Sequence, residues 1–199
     1  LDTMNCCLFD VQNVLTGGFE MGNIWYNEPK TLDVAFDVIG DIVLSAASQQ
    51  YGGFTVPSVD LLLEPFAEKS YEKYYRRYID MGLTARIADR EAMKDIQKDF
   101  DQGFQGWEYK FNTVASSRGD YPFITMTFGT GTGKFAKIAS ITMLNVRRKG
   151  QGKKNCKKPV LFPKLVFLYD ENLHGAGKEL EDQQHVLARN SECSTQVVR

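Results

Sequence analysis

Met4-Asn5-Cys6-Cys7-Leu8-Phe9-Asp10-Val11 stands almost at the head of the chain, and its reading decides how the rest is organised. The run of cysteine and apolar residues predicts a short strand. Side chains on a strand alternate between faces, so Cys6 and Leu8 point one way, and Cys7, Phe9 and Val11 the other. If helices cover the second face, Cys6 faces whatever the strand encloses, and only one of the two thiols can belong to a site. Residue chemistry alone favours a plainer reading, in which Cys6 is a buried structural cysteine. The stretch runs on into Leu15-Thr16-Gly17-Gly18-Phe19-Glu20-Met21-Gly22-Asn23, whose glycines supply turn conformations that other residues resist.

The totals exclude several classes of protein. At 199 residues, 43% of them apolar and 25% charged, the chain can bury one sizeable core or two small ones. A net charge of −1 offers no global field for nucleic acid or a membrane. No apolar run is long enough to span a bilayer, and the N-terminus lacks a signal peptide's basic start and apolar block. Four cysteines, two of them adjacent, do not form a secreted disulfide framework, which points to a reducing, cytoplasmic setting. Two histidines and the lack of a Cys-x-x-Cys pair argue against an internal zinc site. The chain opens on Leu1 rather than Met, with a strand almost at once, as an internal piece of a longer protein would; both ends are read as cuts.

Helical periodicity dominates the next section. Thr31 is a reasonable N-cap after Pro29, and Leu32, Ala35, Phe36, Ile39, Ile42, Val43 and Ala46 follow helical spacing. Val34, Val38 and Leu44 are apolar as well, so this helix is mostly buried, and it stops at Tyr51-Gly52-Gly53. A second stretch runs from near Ser58 to Asp80, with Pro65 expected to open a new helix or a kink. Its stripe of Tyr71, Tyr74, Tyr75 and Tyr78 reads as packing rather than as a base-stacking platform. A third helix, from about Thr84 to Ser116, carries Met93, Ile96, Phe100, Phe104, Trp107 and Phe111 on one face. Gly103 and Gly106 weaken it and would allow a bend. From Arg118 the texture changes: turn chemistry at Arg118-Gly119-Asp120-Tyr121-Pro122, a strand over Phe123 to Phe128, a glycine-rich loop, a helix over Lys134 to Arg147, a basic loop, a strand around Val160 to Tyr169, and a polar helix over Gly177 to Ala188. This order favours an α/β fold with a parallel strand pair.

Three features invite a functional reading. Phe128-Gly129-Thr130-Gly131-Thr132-Gly133-Lys134-Phe135 places glycine amides at a helix N-terminus, where anions are held. The Walker spacing fails at Phe128 and Phe135, and Lys134 stands where the dinucleotide fingerprint has its third glycine. A generic strand-to-helix turn and a phosphate contact through Gly129, Gly131, Gly133 and Lys134 both remain. Arg147-Arg148-Lys149-Gly150-Gln151-Gly152-Lys153-Lys154-Asn155-Cys156-Lys157-Lys158 carries seven basic residues in twelve. It is either a solvated loop or, through residues such as Lys153 and Lys154, an electrostatic contact for a triphosphate or nucleic acid. It lacks aromatic residues for base stacking, and Cys156 in it would be a surface thiol. Finally, His174 and His185 lie in a polar stretch and are expected to be exposed.

Several dispersed segments resemble one family. Asn5-Cys6-Cys7-Leu8, Gly18-Phe19-Glu20-Met21-Gly22-Asn23 and Glu28-Pro29-Lys30-Thr31 are similar to the anaerobic (class III) ribonucleoside-triphosphate reductases. So are Ala46-Ala47-Ser48-Gln49-Gln50-Tyr51-Gly52-Gly53, Leu63-Glu64-Pro65-Phe66-Ala67, Ser70-Tyr71-Glu72-Lys73-Tyr74, Glu108-Tyr109, Asn112-Thr113, Pro122-Phe123-Ile124-Thr125, Phe128-Gly129 and Phe162-Pro163-Lys164-Leu165-Val166-Phe167. The likeness is collinear from about Leu1 to His174. After that, Leu187 to Ser194 is only faintly family-like, and Cys193 receives no role.

The resemblance implies part of a ten-stranded α/β barrel built from two parallel half-barrels. Residues 1–30 would form its first strand and turn, 31–116 a helical dimer and effector region, and 117–199 further barrel strands and helices. It implies reduction of ribonucleoside triphosphates to deoxyribonucleoside triphosphates by glycyl and thiyl radicals, with formate as reductant and ATP or deoxynucleoside triphosphates as effectors. Cys6 matches the family's reductive cysteine on the first barrel strand, whereas Cys7 falls where the family has an apolar residue. The radical-bearing cysteine, the zinc-binding cysteines and the glycyl-radical segment would lie beyond Arg199, and an ATP-cone before Leu1, so this chain is expected to be inactive alone. A homodimer and a radical-SAM activating protein are the implied partners; membrane and direct nucleic-acid binding are not. The alternative is a non-catalytic nucleotide-binding or dimerisation module.

Overall fold

Parallel strands cannot be joined by tight turns, so each neighbouring pair needs a crossover. Crossovers of one hand that always advance in one direction place their helices on a single face of the sheet. The computed structural model, which describes residues 6–50, 52–113, 121, 123–188 and 195–198, has this arrangement. In chain order its elements are β1 (Cys7–Leu8), α1 (Val11–Leu15), β2 (Phe19–Met21), β3 (Ile24–Tyr26), α2 (Leu32–Ser48), β4 (Phe54–Val56), α3 (Val59–Asp80), α4 (Ala85–Thr113), β5 (Ile124–Phe128), α5 (Lys134–Lys149), β6 (Gln151–Lys153), β7 (Cys156–Lys158), β8 (Lys164–Leu168), α6 (Glu171–His174), α7 (Glu181–Ala188) and β9 (Thr195–Val198). The main sheet has the order β1-β4-β5-β8-β9, every pair parallel. Strands therefore follow one another across the sheet as they do along the chain, as in one half of a barrel. β2–β3 and β6–β7 are separate antiparallel hairpins.

Alternation sorts the two faces cleanly. Phe54, Val56, Ile124, Met126, Phe128, Leu165 and Phe167 are fully buried under the helices, at 1% exposure or less. Their neighbours Thr55, Thr125, Thr127 and Val166 are only partly covered, and Leu8 is 73% exposed. One face of the sheet is thus a dry core and the other is open. By area bookkeeping, each fully buried aliphatic or aromatic side chain contributes about 1.5–3 kcal/mol, so the covered face carries most of the sheet's stability.

The helical layer follows the sequence reading with three corrections. The expected strand from Met4 to Val11 is shorter, because the Asp10 carboxylate caps the Asn13 amide (3.2 Å) and turns the chain into α1, leaving Val11 buried in that helix. Pro65 neither ends nor restarts a helix; α3 runs unbroken through it for 22 residues. Pro65 is exposed while Leu62, Leu63, Phe66 and Ala67 around it are buried. The missing hydrogen bond is therefore on the wet side and packing holds the dry side. His174, expected at the surface, is fully buried. Residues 114–120, Tyr51, Pro122 and Cys193, which carried part of the expected turns and the tail, lie outside the described residues. No helix among the described residues is long and apolar enough to cross a membrane.

α2 and α4 meet through an aromatic cluster. Phe36 packs edge-on against Phe104 (5.0 Å) and Trp107 (4.7 Å), and the Trp107 indole donates to the Phe36 carbonyl at 2.8 Å. Gly103 makes this approach possible, since a Cβ there would overlap the Phe36 ring. At the other end of α2, Thr31 occupies the N-cap position without a capping hydrogen bond, and the Ser70 hydroxyl of α3 accepts from the Leu32 amide at 2.7 Å. The tyrosine stripe of α3 reaches α4 by hydrogen bonds: Tyr71 to Asp89, Tyr74 to Asp99 (2.7 Å) and Tyr78 to Asp95 (2.8 Å). Burial first, and then the Asp99 carboxylate, raise the Tyr74 phenol well above its ordinary range. The stripe is packing, as its spacing suggested. Gly103→Ala, which gains up to about 1 kcal/mol of helix propensity, should nevertheless lower stability by about 1–3 kcal/mol through overpacking against Phe36; urea unfolding of the variant and parent measures the sign.

Candidate functional site

The open face of the sheet is the one left uncovered by helices, and Cys6 lies at its first strand. The Cys7 amide donates to the Gly53 carbonyl (2.9 Å) and the Phe9 amide to the Thr55 carbonyl (2.9 Å), which fixes the phase of this segment. In that phase Cys7 packs against the core, and Phe9 lies against the Phe54 ring at 5.2 Å. Cys6 and Leu8 take the opposite side, and Cys6 is exposed. The alternation expected from the sequence holds, and the plainer expectation of a buried Cys6 does not. Leu8 is in register with Thr55, and Thr55 with Thr125. Two threonines therefore stand side by side on the open face next to Leu8, two positions downstream of Cys6, with Lys164 next in register. Thr127 lies on the same face two residues further along β5, its hydroxyl oxygen accepting from the Ser58 amide at 2.9 Å.

The other candidates are not gathered around Cys6. Gly129, Gly131, Gly133 and Lys134 lie between the end of β5 and the start of α5, and the first two have their amides already engaged. The Gly129 and Gly131 amides donate to Asp60 Oδ2 at 3.0 and 2.8 Å, and the Glu64 carboxylate accepts from the Ala136 amide at 3.3 Å. The Lys134 ammonium lies over the Tyr71 ring, 5.1 Å from its centre, with the Asp89 carboxylate at 3.9 Å. Lys153 and Lys154 are at the other end of α5, which at 1.5 Å per residue is about 24 Å long. They sit at the exposed tip of the β6–β7 hairpin, where Lys153 pairs with Cys156 around a two-residue turn. The glycine loop and the hairpin lysines therefore do not form one site. Cys156 is exposed, as expected.

The basic segment divides in two. Arg147 is 2% exposed, and its guanidinium lies 2.9 Å from the buried Glu108 carboxylate of α4. It also donates to the carbonyls of Val160 (2.9 Å) and Pro163 (2.6 Å), which sets the approach to β8. Burial raises the Glu108 carboxyl above its ordinary range, while Arg147 and Gln151 pull it down. Arg148 and Lys149 sit with Arg147 in the last turn of α5, where cations suit the helix dipole.

Asp60 and His174 are among the buried polar groups that sequence reasoning missed. A carboxylate in a helix's first turn was visible at Asp60, but its acceptance of amides some seventy residues away was not. Among the described residues no three His, Cys, Asp or Glu side chains converge as a metal site.

Known proteins agree on what this architecture belongs to. The family model described as anaerobic ribonucleoside-triphosphate reductase matches residues 1–197. The chain belongs to that family. The anaerobic ribonucleoside-triphosphate reductase of Enterobacteria phage T4 is 37% identical over 170 residues, covering 85% of this chain and 27% of the phage protein. The Escherichia coli K12 protein of the same name is 35% identical over 170 residues, covering 85% of this chain and 23% of the relative. The chain thus spans about a quarter of the length of these curated relatives. Among solved structures, the Thermotoga maritima anaerobic ribonucleotide reductase in complex with dATP and CTP aligns over 98% of this chain and 33% of its own, with a TM-score of 0.65 at 15% identity. The same enzyme with dATP bound in the specificity site gives a TM-score of 0.63. At that identity the likeness concerns the fold, which is the singly wound α/β half-barrel described above.

The division of the basic segment is testable. Arg147→Met leaves the Glu108 charge buried and two carbonyls unpaired, and should cost about 3–5 kcal/mol. Lys153→Ala and Lys154→Ala, at the exposed tip, should stay within about 0.5 kcal/mol of the parent. Denaturant midpoints of the three variants separate the two roles.

Proposed function

We propose that this chain supplies the first half-barrel of an enzyme that reduces ribonucleoside triphosphates to deoxyribonucleoside triphosphates without oxygen, and that Cys6 is its reductive cysteine. The observation that carries the reading is the phase of the first strand within a chain matched to the family over nearly its whole length. Of two adjacent thiols, Cys6 takes the open face and Cys7 the helix-packed one. An exposed thiol sharing a face with threonine hydroxyls can deliver a hydrogen atom to a sugar lying on the open face, while Thr55, Thr125 and Thr127 offer it hydrogen bonds. Removing the 2′-hydroxyl as water requires two electrons and two protons; formate, in becoming carbon dioxide, supplies both electrons and one proton, and the second proton comes from solvent. A glycyl radical, carried by chain outside these residues, would supply the oxidising equivalent that starts the reaction. In the same reading zinc, too, would be held outside these residues.

The helical section 31–116 is the proposed dimer and effector region. Its support is a cationic groove of about 570 Å³ on α3, lined by Lys69, Lys73, Arg76 and Arg77 together with Glu72, Asp80 and Met81. A nucleoside triphosphate has the charge to match such a surface, and the Thermotoga relative binds dATP in its specificity site. A cytoplasmic setting, a homodimer and activation by a radical-SAM protein belong to the same reading.

Two experiments follow, both on the full-length protein. After anaerobic activation, Cys6→Ser should abolish formate-dependent turnover with folding and dimerisation intact, whereas Cys7→Ser should keep turnover and lose some thermal stability. Turnover retained by Cys6→Ser would remove Cys6 from the mechanism. In calorimetric titrations, the double variant Lys73→Ala and Arg76→Ala should raise the dissociation constant for dATP about tenfold or more, a change of at least about 1.4 kcal/mol.

A further inference from the structure

The glycine-rich loop between β5 and α5 has the geometry of an anion nest, and the anion in it comes from the chain. We infer that the Asp60 carboxylate fills this nest permanently, so that the loop is a clasp holding the sheet's C-terminal edge and not a contact for nucleotide phosphate. Asp60 is fully buried in the first turn of α3, where the helix dipole favours negative charge. Its Oδ2 collects the amides of Gly129 (3.0 Å) and Gly131 (2.8 Å) and lies 3.4 Å from the Ser140 hydroxyl of α5. These are the donors a phosphate would need. Its Oδ1 is buried without a hydrogen-bond partner among the described residues, so the nest is closed to solvent as well as occupied.

The clasp has two further arms. Gly129 is gripped from both sides, since its carbonyl lies 2.7 Å from Nε2 of the buried His174. Because the Gly129 carbonyl can only accept, Nε2 carries a proton and donates to it, while Nδ1 lies 3.1 Å from the Asp170 amide and 3.0 Å from the Asp170 carbonyl. Glu64, one turn after Asp60, accepts from the Ala136 amide and caps α5 in place of the side chain that Gly133 lacks. The glycines make room for these carboxylates: a Cβ on Gly131 would come within 2.9 Å of Asp60 Oδ2, and one on Gly133 would overlap Glu64. A second anion brought here would meet two carboxylates and no unpaired amide of Gly129 or Gly131.

The test uses the full-length protein and acetate as a stand-in for the missing side chain. Asp60→Ala should lower Tm by about 4 °C or more, and sodium acetate should restore part of this loss where sodium chloride at equal ionic strength does not. Acetate acting no better than chloride would overturn the inference. Should Asp60→Ala not fold, Asp60→Asn, which keeps an oxygen acceptor, carries the stability arm: a Tm equal to the parent's would count against the charged nest. Lys134→Met provides an independent arm. It should change ribonucleoside triphosphate affinity less than about twofold; a tenfold loss, about 1.4 kcal/mol, with Tm intact would mean that the loop binds phosphate. The stability arms need no turnover, so they remain decisive if the proposed activity is wrong.

Discussion

One-directional winding of parallel strands is the constraint on which the rest of this molecule depends. Because each crossover advances to the next strand, α2 to α5 gather on one side, and the sheet has a dry face and an open one. Everything chemical then reduces to the phase of each strand. On β1 that phase is set by two backbone hydrogen bonds, to Gly53 and Thr55, and by the fit of Phe9 against Phe54. A slip of one residue would exchange Cys6 for Cys7 and turn Phe9 outward.

Polar groups inside the helical layer act as fixed points between segments distant in sequence. Asp60 ties α3 to the β5–α5 loop, His174 holds the same loop from α6, and Arg147 joins α5 to α4 and to the approach of β8. Magnitude separates these from the surface charges. A buried carboxylate or guanidinium that loses its partner costs several kcal/mol, whereas exposed pairs such as Arg76–Glu72 contribute well under 1 kcal/mol. The many lysines of the β6–β7 hairpin belong to the second class, despite being the most conspicuous charge cluster in the chain.

What could be read from the sequence was local in origin. Strand alternation at Cys6 and Cys7, the buried circumference of α2 and the aromatic stripe of α4 all depend on spacing within one element. Their outcomes agree with the structure, as does the family resemblance built from collinear segments. Pro65 was misjudged because its effect depends on which side of α3 faces water, a tertiary property. His174 was misjudged because its burial is supplied by Phe167, Tyr169 and the Gly129 carbonyl, none of them implied by its polar neighbours. The glycine loop left two readings open, since sequence shows the donors of a nest but not the carboxylate, some seventy residues away, that sits in it. Arg147 falls both in the expected helix and in the basic run, and neither spacing nor charge shows that its guanidinium turns inward to the Glu108 carboxylate of another helix.

The opposed directions of Cys6 and Cys7 also bear on which thiols can pair. Adjacent Cα atoms are about 3.8 Å apart across a trans peptide, closer than disulfides ordinarily accept, and here the two thiols start on opposite faces. Closing a vicinal disulfide would require β1 to give up its hydrogen bonds with β4. Cys6 and Cys7 are therefore not placed to pair with each other in this strand, and a thiol that paired with Cys6 would have to reach it from the open face.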